Sequence, residues 1–206
     1  MHRATDQGSR WRTGHSASLA RPRAVVVVHT DIVGSTRLIE AAGARYPGLL
    51  VRHRALVARE VGRWGGRYLA HGGDGTLAVF DRPAPALRAA ADAQRALAAE
   101  PWPDGLAVRV RTGVHAGEVA EVDGEPIGLP INHGARIMGL ASAGQVVVTE
   151  AVVAALAAEG GDDDLVLVDA GWHLVRDHTG PVGLRQLAGD GLTVVLPDNE
   201  AFALAN

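Results

Sequence analysis

The first sustained apolar run, Ala24 to Val28, has no polar alternation, which is the pattern of a strand buried on both faces, and it stops at His29-Thr30-Asp31. Asp31 is therefore expected at a strand's end. From Gly34-Ser35-Thr36 the apolar spacing becomes helical and continues, past an interruption at Pro47, through Leu49, Leu50, Leu56, Val57 and Val61. The first turn of that helix would point its backbone N–H groups toward Asp31. Gly65-Gly66 closes it, and Arg67-Tyr68-Leu69 and Thr76 to Phe80 then read as two strands joined by the tight turn Gly72-Gly73-Asp74-Gly75. An aspartate is thereby expected at the tip of a hairpin.

Pro83 and Pro85 lead into an alanine-rich helix that ends near Glu100. A strand from Ala107 to Val114, a small-residue turn at His115-Ala116-Gly117 and a strand from Glu118 to Val122 follow, with a hairpin signal at Asp123-Gly124. A further helix is predicted from Leu129 to Leu140, tolerating Pro130 in its first turn. Gln145 to Val148 is a strand, Thr149 can cap another helix, and Leu165 to Leu187 holds two more strands. Several strand pairs are joined by turns too short for a parallel crossover, so the sheet must be largely antiparallel. The predicted class is α+β, a ferredoxin-like sandwich with helices packed on the sheet. Residues 1–23, rich in Arg, Ser, Gly and Thr without periodicity, read as a disordered leader; 24–188 form one domain, and 189–206 read as a C-terminal tail.

Composition changes this picture mainly by exclusion. A chain of 206 residues with formal net charge -3 has no broad attraction for nucleic acid or anionic membrane, and 4% aromatic content offers no stacking platform for single strands. Neither nucleic acid nor membrane is expected as a partner. The chain has no cysteine, so any metal must be held by oxygen or imidazole. No apolar stretch near the start is long enough to span a bilayer, and a cytoplasmic location is expected.

Candidate chemistry begins with Asp31 and Asp74, far apart in sequence but expected at one edge of one sheet. Two carboxylates so placed suit hard divalent cations that leave positions open for phosphate oxygens. Aspartates at turns and strand ends also cap backbone N–H groups without any ligand. Gly34-Ser35-Thr36, a glycine turn at a helix N-terminus directly after Asp31, supplies N–H donors and a positive dipole end for phosphate, though Ser35 could equally serve as a plain helix cap. Asn132 and Arg136 leave one helix face with Cα atoms separated by about 6 Å of rise, an amide and a guanidinium able to grip one ligand. On residue pattern alone a solvated helix face is the simpler account.

Taken together, His29-Thr30-Asp31-Ile32-Val33-Gly34-Ser35-Thr36, Gly73-Asp74-Gly75-Thr76-Leu77-Ala78-Val79-Phe80, Arg111-Thr112-Gly113-Val114-His115-Ala116-Gly117-Glu118 and Gly128-Leu129-Pro130-Ile131-Asn132-His133-Gly134-Ala135-Arg136, in that order, resemble the class III nucleotidyl cyclase catalytic domain. The resemblance runs from about Val25 to Leu187. It implies that the ribose 3′-hydroxyl of a nucleoside triphosphate attacks the α-phosphorus, releasing pyrophosphate and a 3′,5′-cyclic nucleotide. By position, Asp31, Asp74 and the Ile32 carbonyl would hold two Mg²⁺ or Mn²⁺ ions per active site. Val33, Gly34, Ser35 and Thr36 would cradle the phosphates, with Arg111 as a phosphate or structural contact. Asn132 would orient the ribose, and Arg136 would stabilise the transition state. Sites in this family lie between two head-to-tail chains, so a homodimer is implied.

The base-reading positions depart from the family pattern. Adenine-specific members usually carry a lysine where this chain has Ala70, and the chain contains no lysine at all. Glu125 stands where the family has Asp or Thr; its carboxylate can accept from the exocyclic amino group of adenine or cytosine. His29 replaces a frequent aromatic. Three readings follow: an adenylate cyclase, the family majority, making cAMP for signal transduction with a relaxed base pocket; a pyrimidine cyclase of the kind used in antiphage (antiviral) defence; or a degenerate nucleotide-binding regulator. The retained metal and transition-state positions favour catalysis. A phosphatase or a polymerase-like palm also uses two metal-binding aspartates, but neither accounts for the Asn/Arg helix.

Overall fold

Four consecutive valines explain the centre of the fold. They lie in β1 (Arg23–Ile32), where each of Val25, Val26, Val27 and Val28 is buried, as a strand covered on both faces requires. β1 pairs antiparallel on one edge with β3 (Thr76–Phe80) and on the other with β4 (Val110–Val122). The computed structural model describes residues 21–70, 72–176 and 178–195. β2 (Arg67–Ala70), β5 (Glu125–Ile127), β6 (Val146–Thr149), β7 (Val166–Leu174) and β8 (Pro181–Ala188) complete the sheet. Its order is β2-β3-β1-β4-β6-β8-β7, with β5 bonded to β4 off that path. β4 and β6 run parallel and the other pairs antiparallel, so the α+β sandwich expected from the short turns is the architecture found.

Alternation along β1 sorts its side chains between two layers. Val26, Val28 and Ile32 enter the main core, with Leu38 of α1 (Ser35–Ala42), Leu56 and Val57 of α2 (Tyr46–Arg63), Leu87 of α3 (Pro83–Ala99) and Val152 of α5 (Glu150–Ala158). Val25 and Val27 face the other way, in a smaller cluster with Leu77, Val79 and Val119. On this second face lies α4 (Leu129–Gly139). Its approach is close: a Cβ on Gly134 would stand 2.7 Å from His29 Cδ2 and 2.9 Å from Val27 Cγ2. Glycines on β4 make the same allowance, Gly113 beneath Met138 and Gly117 beneath Pro130.

That seating explains one correction. The expected turn at His115-Ala116-Gly117 does not exist; β4 runs unbroken through it for 13 residues. The small residues that resemble a turn in sequence are there to admit α4. A second correction concerns the helix after Asp31, which is two helices separated by a 3-10 turn at Gly43–Arg45. Gly43, at φ 53, makes the break, whereas Pro47 sits in the first turn of α2, where its missing N–H costs nothing. Neither predicted cap forms as drawn. Gly34, at φ 69, is the N-cap of α1 with no side-chain bond, and the Thr149 hydroxyl pairs instead with His115 Nδ1 at 3.1 Å. Asp123 and Gly124 both take positive φ and turn β4 into β5 as expected.

Residues 1–20, most of the expected leader, and 196–206, most of the expected tail, lie outside the described residues. The described part beyond β8 returns to the sheet: Thr193 N–H donates to the Gly144 carbonyl, and Val195 exchanges two hydrogen bonds with the Gln186 side chain. Among the described residues no helix is long and apolar enough to cross a membrane.

Candidate active site

The register of β1 against β3 sets the site. Thr30 pairs with Thr76 at the last rung of this ladder, and their hydroxyls are 2.6 Å apart in the buried interior. Asp31 follows Thr30, and Asp74 stands two residues before Thr76 on the β2–β3 turn, so both reach the same end of the sheet. Their charges bear on a common neighbour. The Tyr46 hydroxyl is held above its ordinary pKa, first by burial and then by Asp74, with a smaller contribution from Asp31. The two aspartates that sequence alone could only juxtapose on paper are brought together.

Their surroundings differ. Asp31 faces Arg111 across the β1–β4 ladder, and Arg111 donates to its Oδ2 from Nη2 at 2.6 Å and from Nε at 3.1 Å. Arg111 also reaches the Gly139 carbonyl at the end of α4, 3.4 Å away. Its guanidinium is thus engaged with a metal-site candidate rather than standing open to phosphate. Asp74 has no such partner: its Oδ2 is buried and without a hydrogen bond among the described residues. A buried carboxylate oxygen left unpaired is costly, and a cation is one group that removes the cost. No cluster of three or more His, Asp or Glu side chains able to hold a metal occurs among the described residues. A cation here would rely on two carboxylates, the Ile32 carbonyl and oxygens from a ligand, a donor set suited to Mg²⁺ or Mn²⁺.

Of the expected phosphate cradle, the Val33 amide is already committed to the Arg109 carbonyl at 2.9 Å. Gly34, Ser35 and Thr36 begin α1, with Gly34 left-handed, and no side chain caps that helix start. On α4, Asn132 is exposed and Arg136 half-buried, Arg136 donating from Nη1 to the Arg176 carbonyl at 2.9 Å. This draws the transition-state candidate toward the segment between β7 and β8. The two base-reading candidates lie apart. Ala70 ends β2, opposite Thr76, while exposed Glu125 opens β5; Arg67, which donates to the Gly124 carbonyl beside Glu125, is about 10 Å of strand from Ala70.

Two groups of side chains escaped the sequence reading. His115 of β4, His133 of α4 and His178 stack in sequence, with ring centroids 5.9 Å and 5.1 Å apart. Burial, then the two neighbouring imidazoles, pushes His115 down to about 4. The second group is His53, Arg54 and Tyr68, beside the Asp74 turn. His53 interrupts the apolar stripe of α2 formed by Leu49, Leu56 and Val57, and that interruption was the available signal.

No protein-family model matches the chain. It is 31% identical, over 79% of its own length and 28% of the relative's, to a Rhizobium meliloti protein provisionally named adenylate cyclase 3. To the pH-sensitive adenylate cyclase of Mycobacterium tuberculosis it is 32% identical, over 65% of its length and 33% of that protein's. Its fold superposes on the adenylate/guanylate cyclase/hydrolase from Silicibacter pomeroyi with TM-score 0.68 at 26% identity, covering 83% of this chain and 99% of that one. The chain spans about a third or less of the length of these two curated relatives.

Proposed function

We propose, since this chain belongs to the class III nucleotidyl cyclase catalytic-domain family, that it converts a nucleoside triphosphate into a 3′,5′-cyclic monophosphate and pyrophosphate. ATP is the proposed substrate, following the names of the relatives. The observation that carries the reading is the meeting of Asp31 and Asp74 at one sheet end, beside the uncapped start of α1.

Asp31, Asp74 and the Ile32 carbonyl would hold two Mg²⁺ or Mn²⁺ ions, which when bound acidify the ribose 3′-hydroxyl and neutralise triphosphate charge. The 3′-oxygen gives its proton to solvent water and forms its bond to the α-phosphorus as the bond from that phosphorus to the bridging oxygen breaks, and pyrophosphate leaves. The Gly34, Ser35 and Thr36 amides, at the positive end of α1, receive phosphate oxygens. Asn132 orients the ribose, and Arg136 meets the charge that grows on the α-phosphoryl group. Arg111 holds the Asp31 carboxylate in place. In a head-to-tail homodimer, the proposed assembly, each chain contributes the aspartates to one site and the Asn/Arg pair to the other.

Glu125 supports a second substrate. Its carboxylate accepts equally from the amino group of adenine or cytosine, and the absence of lysine removes the usual adenine-reading donor, so CTP is the alternative. Incubating the protein with Mn²⁺ and each of ATP, GTP, CTP and UTP, and measuring cyclic nucleotide and pyrophosphate, decides the base. Bound nucleotide with no cyclic product from any of the four would overturn the catalytic reading. Asp74→Ala should abolish turnover, and activity surviving in that variant would remove the two-aspartate site.

A further inference from the structure

Behind Asp74 lie polar groups that the proposed reaction does not use. His53 is fully buried, at 0% exposure, and neither ring nitrogen has a hydrogen-bond partner among the described residues. Asp74 Oδ2, the Tyr68 hydroxyl and Arg54 Nε share that condition. These orphans gather between α2 and the β2–β3 hairpin. Arg54, next to His53 on α2, donates from Nη2 to the Gly73 carbonyl and so ties the helix to the very turn on which Asp74 stands. The charges of Arg54 and Asp74 both act on the His53 ring, which places imidazole and carboxylate within electrostatic reach.

An imidazole carries at least one N–H in either tautomer, and burying that donor without an acceptor forfeits a hydrogen bond to water. A carboxylate oxygen buried without a donor forfeits the same. Here donors are left over on His53, Arg54 and Tyr68 and an acceptor on Asp74, on elements already tied together by Arg54. Pairing the imidazole with that carboxylate, directly or through one enclosed water, removes a deficit on each.

We propose that His53 is a positioning residue for Asp74: its ring N–H holds Oδ2 so that the other carboxylate oxygen faces the divalent cation. The proposal rests on the reading of Asp74 as a metal ligand. It gives α2 a task beyond packing, because carboxylates that bind metals are oriented by a hydrogen bond to the oxygen turned away from the ion.

The test uses the full chain and Mn²⁺ alone, its free concentration followed by electron paramagnetic resonance without nucleotide, beside thermal unfolding. Asp74→Asn is the control for the metal site itself. His53→Leu, which fills the space without a donor, should weaken Mn²⁺ binding about tenfold while leaving the melting temperature unchanged or higher. His53→Asn, which keeps an N–H donor, should retain most of the affinity. If His53→Leu does not fold, the comparison passes to His53→Met against His53→Asn. Parental Mn²⁺ affinity in a folded donor-less variant overturns the positioning role while the metal site stands. No Mn²⁺ binding in the parent, or no loss in Asp74→Asn, overturns the metal reading and this inference with it.

Discussion

Replacing Gly134 by alanine sets two effects of similar size against each other. Within a helix the exchange of glycine for alanine stabilises by about 1 kcal/mol, and Gly134 lies inside α4 with no left-handed backbone to preserve. Against this, the new methyl would lie 2.7 Å from His29 Cδ2, where ordinary contact begins at 3.4 Å, so helix and strand must part by about 0.7 Å. Overpacking of this kind costs about 1–3 kcal/mol, leaving a net destabilisation of about 1 kcal/mol. For a chain of this length the melting temperature should fall by about 2–4 °C. The same displacement carries Asn132 and Arg136 with it, and a shift approaching 1 Å in a reacting geometry lowers turnover on the order of tenfold or more. Differential scanning fluorimetry and a cyclase assay measure the two effects on one preparation. In a His29→Ala background the alanine should cost less, because the ring it strikes is gone. A Gly134→Ala protein that melts higher and cycles nucleotide at the parental rate would show that α4 is not seated against β1 as described.

Two further outcomes follow from the site. Arg136→Ala should lower kcat more than substrate affinity, measured by steady-state kinetics beside nucleotide binding; an equal loss confined to binding would contradict a role in the transition state. Acid should unfold the protein early. Burial, and then the Arg54 charge, pushes His53 from 6.5 down to about 4 in the folded state, so between those values the unfolded chain binds more protons and stability falls as pH falls, by roughly 3 kcal/mol across the window. His115 adds to the same slope, and His53→Leu should flatten it in urea titrations between pH 7 and pH 4. An unchanged slope would show that His53 binds its proton as readily in the folded protein as in the unfolded chain, so that burial does not depress it.

Much of this was legible in the chain. The valine run announced a doubly covered central strand, and the tight turns announced antiparallel pairing, because both follow from local spacing. What failed was whatever depends on a partner distant in sequence. Gly117 resembles a chain-reversal residue since nothing local reveals that Pro130 lies over it. Sequence leaves Arg111 open between a phosphate and a structural contact, because only the β1–β4 register shows it opposite Asp31. His53 was passed over because one imidazole barely dilutes an apolar stripe, and its meaning appears only when the Asp74 turn is found beside it. The carboxylates themselves were found by motif, and their proximity is a property of the sheet.

The ladder between β1 and β3 therefore acts as a ruler whose graduations are independent of the chain that joins the two strands. Slipping it by one residue would turn Asp31 to the opposite face and bury it among aliphatic side chains, so the spacing is protected by the whole apolar interior. The chain between the strands adds a fixed point of its own in α2, whose Arg54 is tied to the turn that carries Asp74.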